Sequence, residues 1–269
     1  MAAPLILITN DDGILSPGLH AAAEAVAELG ELLIVAPRTQ QTAMSRSFLS
    51  GPDYGIIEEV PLEIGGKAHI GFAVHGSPAQ AVVHAVFEIA PRLPDLCVSG
   101  INYGENVGLT TAVSGTVGAA LEANACKIPA IAVSREAELA IHKSDTYAEL
   151  DWAVAGHFTQ VIAEGVLRHG LPPEIAVVNL NVPDDATIDT EIRPTVQSQQ
   201  AYFHYTKFEP RARDRGYRPK IMRVVNEGLL EPNSDIRAFV VDRVVSVTPL
   251  TSNLTARVDL EAWFKSLSH

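Results

Sequence analysis

Cysteine is nearly absent from this 269-residue chain. Only Cys97 and Cys126 occur, and neither belongs to a Cys-x-x-Cys pair. That excludes a disulfide-framed scaffold and a thiolate metal cluster. Positive charge is also scarce. Twenty Lys and Arg face 32 Asp and Glu, giving a formal net charge of −12, the wrong sign for a dedicated DNA or RNA binder. No apolar run approaches the ~18 residues that a membrane-spanning helix requires. The leading run ends at Ile8 and has no basic residue before it, so it does not read as a secretory signal. A soluble cytoplasmic protein is the expectation.

Several catalytic signatures are missing too. No Gly-x-Gly-x-x-Gly follows the first apolar run, and no phosphate-binding loop of the Gly-x-x-x-x-Gly-Lys type occurs anywhere. That argues against dinucleotide and P-loop chemistry. The nine histidines are scattered without a His-Glu-x-x-His, and no Gly-x-Ser-x-Gly is present, which removes the corresponding metalloprotease and serine-hydrolase readings.

What remains is an alternation. Leu5–Thr9, Leu32–Ala36, Asp95–Ser99, Ala130–Val133 and Ala176–Leu180 are short, continuous apolar runs. Between them, Pro17–Leu29, Pro78–Ala90, Gly115–Ala125 and Tyr147–Leu167 carry helical periodicity. Continuous apolar strands separated by helices predict a mostly parallel sheet covered on both faces. Ser16-Pro17 and Ser77-Pro78 each place a capping hydroxyl before a proline at the first helical position. The connection 38–70, with Gly65-Gly66 near its end, is expected to hold one or two hairpins. After Val182 the pattern changes, and residues 191–225 are polar, Arg-rich and rich in β-formers. Val244–Thr248 reads as a further strand and Leu254–Leu267 as an amphipathic helix capped by Asn253. The expected architecture is a doubly wound, Rossmann-like, three-layer α/β core over 1–185. An extended β arm follows over 186–242, and residues 243–269 return to the core as a strand and closing helix.

In such sheets ligands bind beyond the carboxyl ends of the strands. Three polar segments should therefore converge: Asn10-Asp11-Asp12-Gly13, Ala36–Thr42, and Gly100–Asn106. Adjacent carboxylates repel unless a cation compensates, and carboxylate, amide and hydroxyl oxygens are hard donors suited to Mg²⁺ or Mn²⁺. A plain turn is the competing reading, since Asp and Gly are turn residues. Ser114-Gly115-Thr116 looks like a helix start, where amide groups and the dipole favour a phosphate. Ordinary capping explains the same residues.

Taken together, Asn10-Asp11-Asp12-Gly13, Ala36-Pro37 with Thr42 five positions on, Ser99-Gly100-Ile101-Asn102 and Ser114-Gly115-Thr116-Val117 resemble the survival protein SurE family. Val245–Leu250, with Asp235 upstream, is similar to the same family. The resemblance implies a divalent-metal-dependent 5′/3′-nucleotidase acting on nucleoside monophosphates, with one Mg²⁺ or Mn²⁺ per subunit. It places Asp11, Asp12, Asn102 and Thr42 at the metal-ligand positions, Thr42 standing where Ser is usual. Asp11, Asp12 and Asn102 would carry catalysis, and Ser114, Gly115 and Thr116 would hold the phosphoryl oxygens. It further implies a homodimer or homotetramer through the arm, with neither nucleic acid nor membrane as the main partner. The chain departs from the family at Arg38, where Asp is common, and lacks a Tyr-Tyr-Trp stretch in the arm.

Two alternatives stay open. A haloacid-dehalogenase-like phosphatase needs a second Asp two positions after the first, where Gly13 stands. A nucleotide sensor without turnover would not need the cluster of Asp11, Asp12 and Asn102. The basic arm residues Lys207, Arg211, Arg213, Arg215, Arg218, Lys220 and Arg223 form either a solvated face or a source of positive potential near the catalytic mouth.

Overall fold

A computed structural model describes residues 3–139, 141–142, 147–217 and 219–267; Arg218 lies outside them. Its centre is the apolar run after Pro4. Strand β1 (Leu5–Thr9) is wholly buried, with side chains alternating between two cores. Ile6 and Ile8 join Leu19, Ala22, Phe158 and their neighbours on one face. Leu5 and Leu7 join Val82, Val117 and Ala120 on the other. This period of two is what a strand sandwiched between helical layers requires.

The remaining elements are α1 (Pro17–Val26), β2 (Glu31–Pro37), β3 (Ile57–Ile64), β4 (Lys67–Val74), α2 (Pro78–His84), β5 (Leu96–Tyr103), α3 (Gly115–Ala125) and β6 (Ala130–Arg135). They continue with α4 (Ala153–His169), β7 (Val177–Val182), β8 (Ile192–Pro194), β9 (Phe203–Tyr205), β10 (Ile221–Arg223), β11 (Val245–Leu250) and α5 (Leu260–Leu267). Nine strands form one sheet in the order β3-β4-β2-β1-β5-β6-β7-β11-β8. The stretch from β4 to β7 is parallel, while β3 and β11 run antiparallel to their inner neighbours. Helices α1 and α4 cover one face, α2 and α3 the other. Because β2 lies on one side of β1 and β5 on the other, the crevice at the carboxyl ends of β1 and β5 is the switch point of the sheet.

The α/β reading thus holds, with local corrections. Helix α2 is a proper α-helix only to His84 and continues as a π-turn over Ala85–Ile89. Ser77 caps it with a full capping box through Gln80. Ser16 caps α1 by backbone conformation alone: its side chain accepts no capping hydrogen bond and its Oγ is buried without a partner. Helix α4 starts at Ala153 rather than Tyr147. The reason lies in the preceding segment, which is held against the switch point by the Tyr103 hydroxyl donating to the Ala148 carbonyl and the Tyr147 hydroxyl donating to the Asp12 carbonyl. At the C-terminus, Asn253 accepts from the Thr255 amide, and Asp259, which accepts from Ala262, sits at the helix start instead. Every described residue of α5 is exposed. The return to the core is therefore made by β11 and not by the helix.

The arm is also more compact than an extended ribbon. Its first strand, β8, joins the main sheet beside β11. Strands β9 and β10 form a separate two-stranded hairpin seated on a small cluster of Val107, Tyr202, Leu230, Ile236 and Phe239.

Candidate functional site

Asn10 and Gly13 build the first corner of the site. The Asn10 side-chain amide donates to the Gly13 carbonyl and its oxygen accepts from the Gly13 amide, both at 3.1 Å. Gly13 itself has a φ of +103°, where a side chain is strained. Asn10 is therefore the brace of a tight turn, and that turn presents Asp11 and Asp12 immediately beyond β1. Both readings of the motif apply: it is a turn, and the turn positions carboxylates.

Asp11 lies against the start of α3. The Thr116 hydroxyl donates to Asp11 Oδ1 at 2.6 Å, and the Gly115 and Thr116 amides also face this carboxylate. A Cβ on Gly115 would stand 2.7 Å from Asp11 Oδ2, so only glycine permits this approach. Asp12 points elsewhere. Its carboxylate accepts from the Gln40 side chain and from the Tyr103 amide, each at 3.2 Å. Burial drives both carboxyls above their ordinary range, and for Asp12 the neighbouring Asp11 charge adds to the effect. Two buried like charges side by side are what a cation would offset.

Asn102 arrives from the end of β5. Its Nδ2 donates to the Gly104 carbonyl at 2.6 Å, which leaves Oδ1 as the atom a cation would use. The Thr42 hydroxyl donates to the His142 carbonyl at 3.4 Å, a long bond that a better partner could replace. Asp11, Asn102, Thr42 and Ser114 line one cavity of about 340 Å³. Asp12 does not line it. Among the described residues no group of three or more His, Cys, Asp or Glu gathers, so a cation here would draw on Asp11, Asp12, Thr42 and Asn102, an all-oxygen set that fits Mg²⁺ or Mn²⁺.

The expected phosphate-binding triplet separates. Ser114 lines the cavity while capping α3 through the Val117 amide at 3.1 Å. Gly115 and Thr116 instead address Asp11, because the helix start is already occupied by that carboxylate. Arg38, the departure from the family pattern, pairs with Glu58 at 3.2 Å.

Several further residues were missed in the sequence. The apolar part of the cavity lining is made by Leu109, Val113, Phe203, Tyr205 and Ile221, the last three contributed by the hairpin. Asn179 and Asn181, two residues apart in β7, donate to the Asn106 carbonyl at 2.8 and 3.2 Å. Asn181 also accepts from the Asn106 amide at 2.7 Å. Alternate asparagines in an otherwise apolar strand were the available signal. Asp235 accepts from the amides of Gly108, Ser198 and Ile236 and so fixes the turn that leads into Ser114. Arg223 does not belong with the solvated arginines, since it pairs with the buried Glu105.

Fold and site together define a class: a doubly wound α/β protein with oxygen-bearing side chains around a cavity at its switch point. The family model described as Survival protein SurE matches residues 6–204. The chain belongs to this family. It is 40% identical over 260 residues to the 5′-nucleotidase SurE of Thermococcus gammatolerans, covering 95% of this chain and 93% of that one. It is 42% identical over 216 residues to the protein of the same name from Methanothermobacter thermautotrophicus, covering 77% and 79% of the two chains. The crystal structure of the SurE protein from Aquifex aeolicus superposes with a TM-score of 0.75 at 26% identity, over 99% of this chain and 100% of that one.

Proposed function

We propose that this chain is a 5′-nucleotidase, hydrolysing nucleoside 5′-monophosphates, and 3′-monophosphates in addition, to nucleoside and phosphate. The observation that carries this reading is the cavity. Its lining combines the oxygen donors Asp11, Thr42, Asn102 and Ser114 with apolar side chains of the kind a nucleoside rests against. The shared name of the relatives supports the same substrate class.

One Mg²⁺ or Mn²⁺ per subunit completes the proposal, held by Asp11, Asp12, Thr42 and Asn102. Such an ion supplies Lewis-acid polarisation of a phosphoryl oxygen and offsets the two carboxylates. The chain supplies the rest. Ser114 faces the phosphoryl group, while Gly115 and Thr116 act on it through Asp11, which they hold in place. A carboxylate of the Asp11–Asp12 pair orients the attacking water and accepts its proton. Leu109, Val113 and the hairpin residues keep solvent from the nucleoside side.

Phosphate release from AMP, with added Mn²⁺ or Mg²⁺ and with chelator, tests the reading. Release should depend on the ion and vanish in Asp11→Asn, whose far-ultraviolet circular dichroism should match the wild type. Wild-type turnover in that variant would sink the assignment of the site. Tight AMP binding without release would make the chain a sensor. Assembly into a homodimer or homotetramer through the arm belongs to the same proposal. Replacing residues 206–220 with a short Gly-Ser turn should then shift the light-scattering mass to that of one subunit.

A further inference from the structure

The hairpin that forms part of the apolar lining of the cavity has little to hold it. A two-stranded ribbon is marginal alone, and β9 and β10 pair with no strand of the main sheet. Its base rests on Tyr202, buried in the small cluster with Val107, Ile236 and Phe239, and on reciprocal bonds between Gln200 and Asn226. Nearer the cavity Glu105 and the Ala137 carbonyl tie it to the core, and Tyr202 also bonds to Glu105. Arg223 in β10 donates from Nε to Glu105 Oε1 at 2.7 Å and from Nη2 to Oε2 at 2.9 Å, the two-pronged geometry that fixes orientation as well as distance. The same Nη2 donates to the Ala137 carbonyl at 2.5 Å.

The placement of this pair is specific. Glu105 has a side chain with no exposure and follows Asn102 by three residues on the loop beyond β5. Arg223 is the register partner of Phe203, and Ile221 that of Tyr205. Phe203, Tyr205 and Ile221 face the cavity. Phe203 also meets the His142 ring edge-on at 5.9 Å. Among these contacts, the bidentate pair is the oriented one that joins β10 to the loop following Asn102.

We infer that the Glu105–Arg223 pair is a positioning latch, which fixes the hairpin wall at the distance that accepts a nucleoside and so governs selection of the substrate's leaving group. This rests on the nucleotidase reading of the cavity. The bonds of Arg223 go to Glu105 and the Ala137 carbonyl and not to Asp11, Asp12, Thr42 or Asn102, so its loss acts most on substrates that reach the wall. With Glu105 buried and Arg223 partly so, it also responds to ionic strength less than steering by the exposed arginines of the hairpin tip.

The test compares AMP with methyl phosphate, a phosphomonoester too small to reach the wall, in wild type, Arg223→Met and Arg223→Lys. Arg223→Met should raise KM for AMP about tenfold with kcat changed by less than about twofold, the split that marks lost binding in ground and transition states alike. Its loss with methyl phosphate should be much smaller than with AMP, and the AMP defect should persist at high salt. Arg223→Lys keeps the charge without the fork and should recover only part of the affinity. Hydrogen exchange gives a readout independent of turnover: amides of 203–205 and 221–223 should exchange faster in Arg223→Met while those of β1 and β5 do not. Unchanged hairpin exchange, or an equal loss with both substrates, overturns the latch. Absence of phosphate release from any nucleotide by the wild type would overturn the nucleotidase reading alone, leaving the exchange experiment to decide whether the hairpin is held by this pair.

Discussion

Replacing Gly115 with alanine perturbs the site by one methyl group, and the structure sets the size of the effect. The new Cβ would lie 2.7 Å from both Cβ and Oδ2 of Asp11 and 3.0 Å from its Cγ. Ordinary contact begins near 3.4 Å, so one partner must retreat by 3.4 − 2.7 = 0.7 Å. Asp11 is fully enclosed and bonded to Thr116, and the α3 backbone is packed against β5 and β6. The carboxylate, with fewer covalent ties, is the part that moves. A displacement approaching 1 Å in a reacting constellation costs about a hundredfold in rate, or about 2.7 kcal/mol of barrier. Stability should respond less: overpacking costs about 1–3 kcal/mol, and alanine returns up to about 1 kcal/mol of helix propensity. Phosphate release from AMP should therefore fall about a hundredfold in kcat/KM, while the melting temperature moves by only a few degrees (about 2–4 °C per kcal/mol at this size). Wild-type activity in Gly115→Ala would refute the argument that this close approach holds Asp11 in the position that the proposed reaction requires.

Asp235→Asn leaves one acceptor oxygen where the carboxylate served three amides, and turns an NH₂ group toward a buried N–H; about 1–3 kcal/mol of stability should be lost, read by urea unfolding. In chelator, stability should fall as pH rises between about 4 and 8. The folded state retains protons on Asp11 and Asp12 that the unfolded chain has released, so deprotonation favours unfolding. Thermal melts of Asp11→Asn/Asp12→Asn should lack that component of the pH dependence, and a difference of the opposite sign would contradict the burial of the pair. Changing Arg211, Arg213 and Arg215 together to serine should raise KM for AMP at low ionic strength, with the difference fading in high salt; an unchanged KM would leave these side chains as a solvated face.

Much of the core was legible because its signals are local. Leu5–Thr9 is read identically from sequence and structure, since five consecutive apolar residues between polar neighbours have few other fates. Ser114 and Ser77 announced their helices, and Gly65-Gly66 announced the turn between β3 and β4. Helix α4 was misplaced at its start because Tyr147 and Ala148 fit its periodicity but are drawn to Asp12 and Tyr103 by contacts more than 40 residues distant in sequence. The oxygen cluster was assembled from strand-end logic and from family resemblance, yet the orientation of Asp12 toward Gln40 depends on a loop conformation with no local marker. Glu105 and Arg223 are 118 positions apart. Nothing near either one states that they meet.

The margins of the nine-stranded sheet carry a consequence for how such molecules coexist at high concentration. Outermost strand β3 has Glu58, Glu59 and Glu63 along it and a proline, Pro61, that offers no N–H. The opposite border, β8, is three residues long, contains Arg193 and ends in Pro194. A second chain attempting to extend the sheet meets carboxylates and an interrupted hydrogen-bond row at one border and almost no ladder at the other, the usual defences against ribbon-to-ribbon aggregation. Self-association of this protein is thereby steered away from strand addition and toward surfaces made of side chains.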